Sequence, residues 1–238
     1  MKSPRQKVHT KARTSTRDEV RPSPAATSRQ AASRNTAPGE IRIIGGQWRS
    51  RRIGVPVAEG LRPTGDRIRE TLFNWLGPTI AGKRCLDLFA GTGILGLEAL
   101  SRGAASVDWL ERNAAVARHL RGSHAALQES DPVSGHGEIH QRDALSFLEL
   151  RGTGGYDVVF LDPPFAMNPW RELLTALPSK LAKDAKVYVE AAQRPDVLNP
   201  PPEGWLIIRE SQAGAVWFAL LQCEYSQVDP STPNTQRP

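Results

Sequence analysis

From residue 84 onward, short apolar runs alternate with stretches in which apolar residues recur every three to four positions. The runs at 84–89, 106–110, 138–142, 156–161, 186–191, 205–210 and 215–223 predict strands. The intervening patterns predict helices at 94–102, 113–128, 144–150 and 169–181, the first closed by Gly103 as its C′ residue. Strands alternating with helices imply a parallel sheet covered on both faces. Only residues 211–214 separate the last two runs, too few for a parallel crossover, so the final pair is predicted to be an antiparallel hairpin.

Upstream, 41–57 alternates Arg with Ile around Gly45, Gly46 and Gly54, which predicts two short strands about a turn. Ile68, Leu72, Trp75 and Leu76 then share one face of a helix over 66–76, with Arg67, Glu70 and Asn74 off that stripe and Thr64 as its expected N-cap. Residues 1–40 have Met1, Val8 and Val20 as their only large apolar side chains and cannot bury enough surface to offset ordering entropy. The expected layout is a disordered basic tail at 1–40, a hairpin-and-helix extension at 41–82, an α/β domain at 83–225 and a disordered tail at 226–238.

Charge sharpens this picture. Residues 1–40 carry nine basic and three acidic residues, and 41–69 carry seven Arg against Glu59 and Asp66, whereas 70–238 is net negative. A basic front on a slightly acidic body suits a polyanion, most commonly nucleic acid. No run of eighteen apolar residues predicts a membrane span, and the start has no apolar segment of a secretory leader. Cys85 and Cys223 both sit in apolar runs, which fits a reducing cytoplasmic setting better than a disulfide framework.

The loop after the first predicted strand reads Asp87-Leu88-Phe89-Ala90-Gly91-Thr92-Gly93, with Gly96 three residues on. In a doubly wound sheet ligands bind beyond the carboxyl ends of the strands, where this loop lies. Gly91 and Gly93 admit a close backbone approach, and Gly96 lets the helix pack tightly. Glu111 ends the second predicted strand and can accept two ribose hydroxyls. Asp143, followed by Ala144, ends the third and is placed for an adenine amino group. The glycine spacing also fits a nicotinamide cofactor, so alone it is weak. Asp87 and the final hairpin favour S-adenosylmethionine, whose ammonium an acid near the loop can hold. Seven strands with an antiparallel last one mark the class I methyltransferase form of the Rossmann-like fold.

Val158 to Leu161 lead into Asp162-Pro163-Pro164-Phe165, the sharpest chemical signal in the chain. The prolines stiffen the loop. Asp162 and the Pro163 carbonyl are acceptors, so their partner is a double donor such as an exocyclic NH₂, and Phe165 offers a stacking face worth about 1–3 kcal/mol. Acceptors holding both hydrogens favour a pyramidal nitrogen whose lone pair attacks the sulfonium methyl in line.

These segments, with Ile41 to Trp48, Leu61 to Leu76 and Gly96 to Arg102, resemble the RsmD family of bacterial small-subunit rRNA guanine-N2 methyltransferases over about residues 41–224. The resemblance implies S-adenosylmethionine as cofactor and, as substrate, a guanine of 16S rRNA in an assembled small subunit, for a monomer that needs no metal. Trp48, with its neighbours Arg49, Arg51 and Arg52, is a candidate RNA contact, while Arg62, Arg67 and Arg69 are candidates for the cofactor carboxylate or an RNA phosphate. Trp75, Trp109 and Trp217 read as core, and the five histidines as structural or surface residues. A DNA adenine-N6 methyltransferase, a catalytically idle ribosome assembly factor and a nicotinamide dehydrogenase are the competing readings. They are opposed in turn by the lack of a target-recognition domain, by the intact Asp87, Glu111 and Asp162, and by the final hairpin.

Overall fold

The structure, a computed structural model, describes residues 39–58, 61–150 and 154–224. The two predicted tails lie outside these residues, apart from Gly39 and Glu40. The extension holds β1 (Glu40–Arg42), β2 (Arg52–Gly54) and α1 (Asp66–Leu76). Then follow β3 (Arg84–Asp87), α2 (Ile94–Ser101), β4 (Ser106–Leu110), α3 (Ala114–Ser130), β5 (His136–His140), α4 (Ala144–Leu148), β6 (Tyr156–Leu161), α5 (Trp170–Ala176), β7 (Leu181–Ala191), β8 (Trp205–Ala213) and β9 (Val216–Cys223).

Strands β3 to β9 form one sheet in the order β5-β4-β3-β6-β7-β9-β8. The first five are parallel, and β9 runs antiparallel to both β7 and β8, so the expected terminal hairpin is present. Several boundaries moved. The expected helix at 169–181 stops at Ala176 because Pro178 cannot continue it, and a 3₁₀ turn at Leu177–Lys180 leads straight into a longer β7. Leu88 and Phe89 belong to the loop rather than to β3, and β5 starts two residues early, at His136.

Successive strand residues face opposite sides. Val158 and Phe160 join the core under α1, α2 and α3, whereas Val159 and Leu161 join the core under α4 and α5. Gly96 lets α2 lie against β4: a Cβ there would sit 2.1 Å from Trp109 Nε1. No described helix is long and apolar enough to cross a membrane.

The extension packs on the first of these faces. Ile41, Ile43 and Ile53 bury the hairpin, and Leu72, Phe73 and Leu76 bury α1, with Trp75 stacked on Phe218 at 5.3 Å between ring centres. Its polar anchor is Glu98 of α2, which accepts from the Ile44 amide, from the Gly45 amide at 3.3 Å and from Arg69 Nη1 at 2.6 Å. Arg69 also bonds Asp66 at 2.6 Å and the Thr64 carbonyl at 3.1 Å. Thr64 is not the N-cap of α1. That position is Gly65, without a side-chain cap, and the Thr64 hydroxyl is used elsewhere.

Both Arg69 and Glu98 have fully buried side chains. Replacing Arg69 by Met keeps most of the volume but removes the buried cation paired with Glu98, leaving two amides and the partly exposed Arg102 to offset its charge; breaking such a pair costs about 3–5 kcal/mol. Urea unfolding of R69M should show a clearly lower midpoint, and an unchanged midpoint contradicts the anchor.

Candidate active site

The sheet order reverses between β3 and β6, and the acids expected at the strand ends converge beyond that point. Asp87, Glu111, Asp143 and Asp162 follow or end β3, β4, β5 and β6, and all four line one cavity of about 710 Å³. That volume lies inside the roughly 300–1,000 Å³ typical of small-molecule sites. Phe89, Ala90, Gly91, Thr92 and Ala144 also line it, as do Pro163, Pro164 and Phe165.

Gly93 is not among the lining residues. It caps α2 in a left-handed conformation at φ 76°, and a Cβ there would meet Leu120 at 2.2 Å. It therefore shapes the loop from behind.

Glu111 already organises this loop: Oε2 accepts from the Gly91 amide at 3.0 Å and Oε1 from the Asn113 amide at 2.7 Å. Each carboxylate oxygen has a second lone pair, so ribose hydroxyls can still be accepted. Asp143 caps α4 through Oδ1, bonding the amides of Leu145 at 3.0 Å and Ser146 at 3.2 Å. Asp87 differs: its Oδ1 is buried and has no hydrogen-bond partner among the described residues. Burial, and then the charge of Glu111, push its carboxyl up to about 7, while the Phe89 and Gly96 amides hold it down in part. A buried acceptor without a donor, on the wall of a cavity, fits a cationic ligand group. The ammonium of S-adenosylmethionine is such a group, and Glu111 and Asp143 are further acceptors on the same cavity.

Just after the adjacent strand, two residues beyond the Phe160 that pairs with Asp87, Asp162 is half-buried, and the Thr64 hydroxyl donates to its Oδ2 at 3.1 Å. Burial and the neighbouring Glu190 charge hold its carboxyl well above the usual range. Phe165 is 42% exposed, an aromatic face open at the cavity mouth.

The family model described as "Conserved hypothetical protein 95" matches residues 41–222. Ribosomal RNA small subunit methyltransferase D of Escherichia coli is 45% identical over 188 residues, spanning 78% of this chain and 91% of that protein. The protein of the same name from Haemophilus influenzae is 43% identical over 189 residues, spanning 78% and 95%. The chain belongs to the RsmD family. Among solved structures, yhhF of Escherichia coli superposes on this RsmD-family chain with a TM-score of 0.67 at 45% identity, covering 78% of this chain and 99% of that one. SMU.776, solved with SAH, matches with a TM-score of 0.59 at 16% identity over 79% of this chain and 57% of its own, a likeness of fold alone.

The RsmD-family chain corrects part of the predicted substrate surface. Trp48 has no exposed surface: its Nε1 donates to the Asp131 carbonyl at 2.6 Å, so the indole pins the hairpin to the end of α3 and is not a base contact. Arg69 is likewise buried in its ion pairs and reaches neither cofactor nor RNA. Arg67 is exposed but does not line the cavity. Arg62 does line it, at an exposed rim shared with Arg112 and Arg142, which sequence reading did not single out although each adjoins a predicted acid, Glu111 or Asp143.

Arg49, Arg51 and Arg52 are exposed but do not line the cavity. Arg51 bonds Ser130 at the last turn of α3, whereas Asn113, at the helix start, lines the cavity. Seventeen helical residues separate these ends, about 25 Å at 1.5 Å per residue. Thr64 and Glu190 were also missed. Their signals were weak: Thr64 read as a helix cap, and Glu190 stood unremarked near the end of a predicted strand.

Asp87 gives the site a pH signature. Below about pH 7 its carboxyl is protonated, and a neutral acid holds an ammonium poorly. S-adenosylmethionine affinity should therefore fall as pH drops through 7, by up to about tenfold per unit. In D87N the affinity should be lower and this dependence absent. Calorimetric titration at several pH values is the measurement, and a parent affinity indifferent to pH contradicts the assignment.

Proposed function

We propose that this chain transfers a methyl group from S-adenosylmethionine to the exocyclic N2 amine of a guanine in 16S rRNA of the small ribosomal subunit. The observation that carries this reading is the convergence of Asp162-Pro163-Pro164-Phe165 with Asp87, Glu111 and Asp143 on one cavity. The name of the 45% identical Escherichia coli relative supports ribosomal RNA of the small subunit as substrate.

In this reading the bound cofactor supplies an electrophilic sulfonium methyl. Asp87 holds its ammonium, Glu111 its ribose and Asp143 its adenine amine. Asp162 and the Pro163 carbonyl accept the two hydrogens of the target NH₂, which localises the nitrogen lone pair toward the methyl group. Phe165 stacks on the base. No covalent link to the protein is needed, because orientation and fixed acceptors lower the barrier. Arg62, Arg112 and Arg142 meet phosphates or the cofactor carboxylate at the rim, and Arg49, Arg51 and Arg52 engage the subunit outside the cavity. The enzyme acts in the cytoplasm, a setting consistent with the free, buried thiol of Cys85.

The decisive experiment is incubation with labelled S-adenosylmethionine and small subunits from a strain lacking the enzyme, followed by mapping of the modified nucleotide. A single N2-methylguanine in 16S rRNA is the expected product. Asp162→Ala should lower turnover about 100-fold or more while cofactor affinity holds, and turnover within a few-fold of the parent removes Asp162 from the mechanism.

The joint replacement of Arg49, Arg51 and Arg52 by Ala has a different expected signature. It should raise KM for the subunit and reduce the salt slope of binding by about one unit per lost phosphate contact, with cofactor affinity intact. An unchanged salt slope would mean that this surface does not face RNA.

A further inference from the structure

Beside Asp162 lies a second carboxylate that methyl transfer, as described, leaves unused. β6 and β7 are parallel and Leu161 pairs with Val189, so Asp162 and Glu190 take the next laterally adjacent positions. Phe160 and Tyr188, two residues earlier on each strand, share one core, and the period of two puts Asp162 and Glu190 on that same face. Both line the cavity, and adjacent strands are only about 4.8 Å apart.

A neutral hydroxyl joins them. Thr64 Oγ1 donates its one hydrogen to Asp162 Oδ2 at 3.1 Å, and its side chain lies close enough to Glu190 to hold that carboxyl down in part. Glu190 Oε2 accepts from the Tyr188 hydroxyl at 2.7 Å. Glu190 is 4% exposed, so its bonds are internal ones.

We propose that Glu190 is the final acceptor of the proton released by the target amine, reached from Asp162 through the Thr64 hydroxyl. This rests on the amine reading of the site. When the nitrogen lone pair forms the new C–N bond, the electron pair of the broken C–S bond stays on sulfur, and the positive charge passes to a nitrogen bearing the methyl and two hydrogens. Asp162 takes one of these protons. Thr64 Oγ then accepts the proton from Asp162 and passes its own hydrogen to Glu190, which restores the Asp162 carboxylate. Glu190 returns the proton to water once product has left the cavity. Glu190 is thus a positioning residue that acts through Asp162.

Other charged groups bear on the pair. Burial is the main cause that raises both carboxyls, and the charges of Glu190 and of Asp87 on β3 raise Asp162 further. Arg62, ahead of α1, lowers Glu190, as do the bond from Tyr188 and the nearby Thr64 side chain. The Tyr188 hydroxyl is itself raised well above its usual range and stays a donor.

The test is the single-turnover rate on small subunits as a function of pH, using the full chain. Glu190→Gln keeps an acceptor for Tyr188 but cannot take the proton or charge Asp162. Its plateau rate should fall about tenfold or more. Its acidic limb should move to lower pH by about one unit, because a like charge no longer raises Asp162. S-adenosylmethionine affinity should hold. Thr64→Val should lower the plateau, and Thr64→Ser, which keeps the hydroxyl, should restore it. A parent-like plateau and limb in E190Q, a loss confined to KM, or T64S no faster than T64V each overturns the relay. Mapping of the parent's product separates the two readings. A product other than an N-methylated amine overturns the amine reading itself, whereas N2-methylguanine with a parent-like E190Q overturns the relay alone.

Discussion

A carboxylate with no exposed surface, that of Glu98 on α2, receives hydrogens from Ile44, Gly45, Arg69 and Arg102. These donors come from the hairpin, from α1 and from α2 itself. Burying a charge this deeply costs several kcal/mol, and only a full set of donors offsets it. The contribution of the anchor is therefore register more than net stability: the hairpin and α1 have one placement that satisfies Glu98. Since Arg69 also takes the Thr64 carbonyl, the same anchor fixes the residue that touches Asp162. Of the residues lining the cavity, Thr64 thus takes its position from this contact.

The cavity itself separates two kinds of charge. Its floor is acidic, because the ends of five parallel strands, β3 to β7, each deliver a carboxylate to one place. Burial raises Asp87, Asp162 and Glu190 together, and like charge adds to it at Asp87 and Asp162. Its rim is basic, with Arg62, Arg112 and Arg142 exposed. A ligand with a buried cationic group and outward anionic groups matches that gradient. This is the chemistry of a sulfonium amino acid on the inside and of a phosphate backbone on the outside.

Much of this was legible in the residues. The strand and helix periods, the short 211–214 link and the acids after successive strands are local signals, and local physics produces them. Glycine spacing forces tight turns, period-two runs bury one face, and too short a link forbids a parallel crossover. Asp87, Glu111, Asp143 and Asp162 could thus be named, because a doubly wound sheet sends all its strand ends to one side.

Burial partners across the sheet and the extension follow from no local pattern. Trp48 read as a surface group because an Arg-rich run follows it, and Arg69 because it is itself a charged residue. Only the docking of the hairpin and α1 on α2 and α3 shows that each has a specific buried partner, Asp131 for one and Glu98 for the other. Thr64 read as a helix cap for the same reason, since its real partner lies 98 residues away. Sequence alone determined the layers, the parallel strands with their antiparallel final pair, and which acids follow the strand ends. Tertiary structure decided which polar groups meet between elements, because those contacts depend on how two separately formed surfaces pack, and no periodicity within either one encodes that.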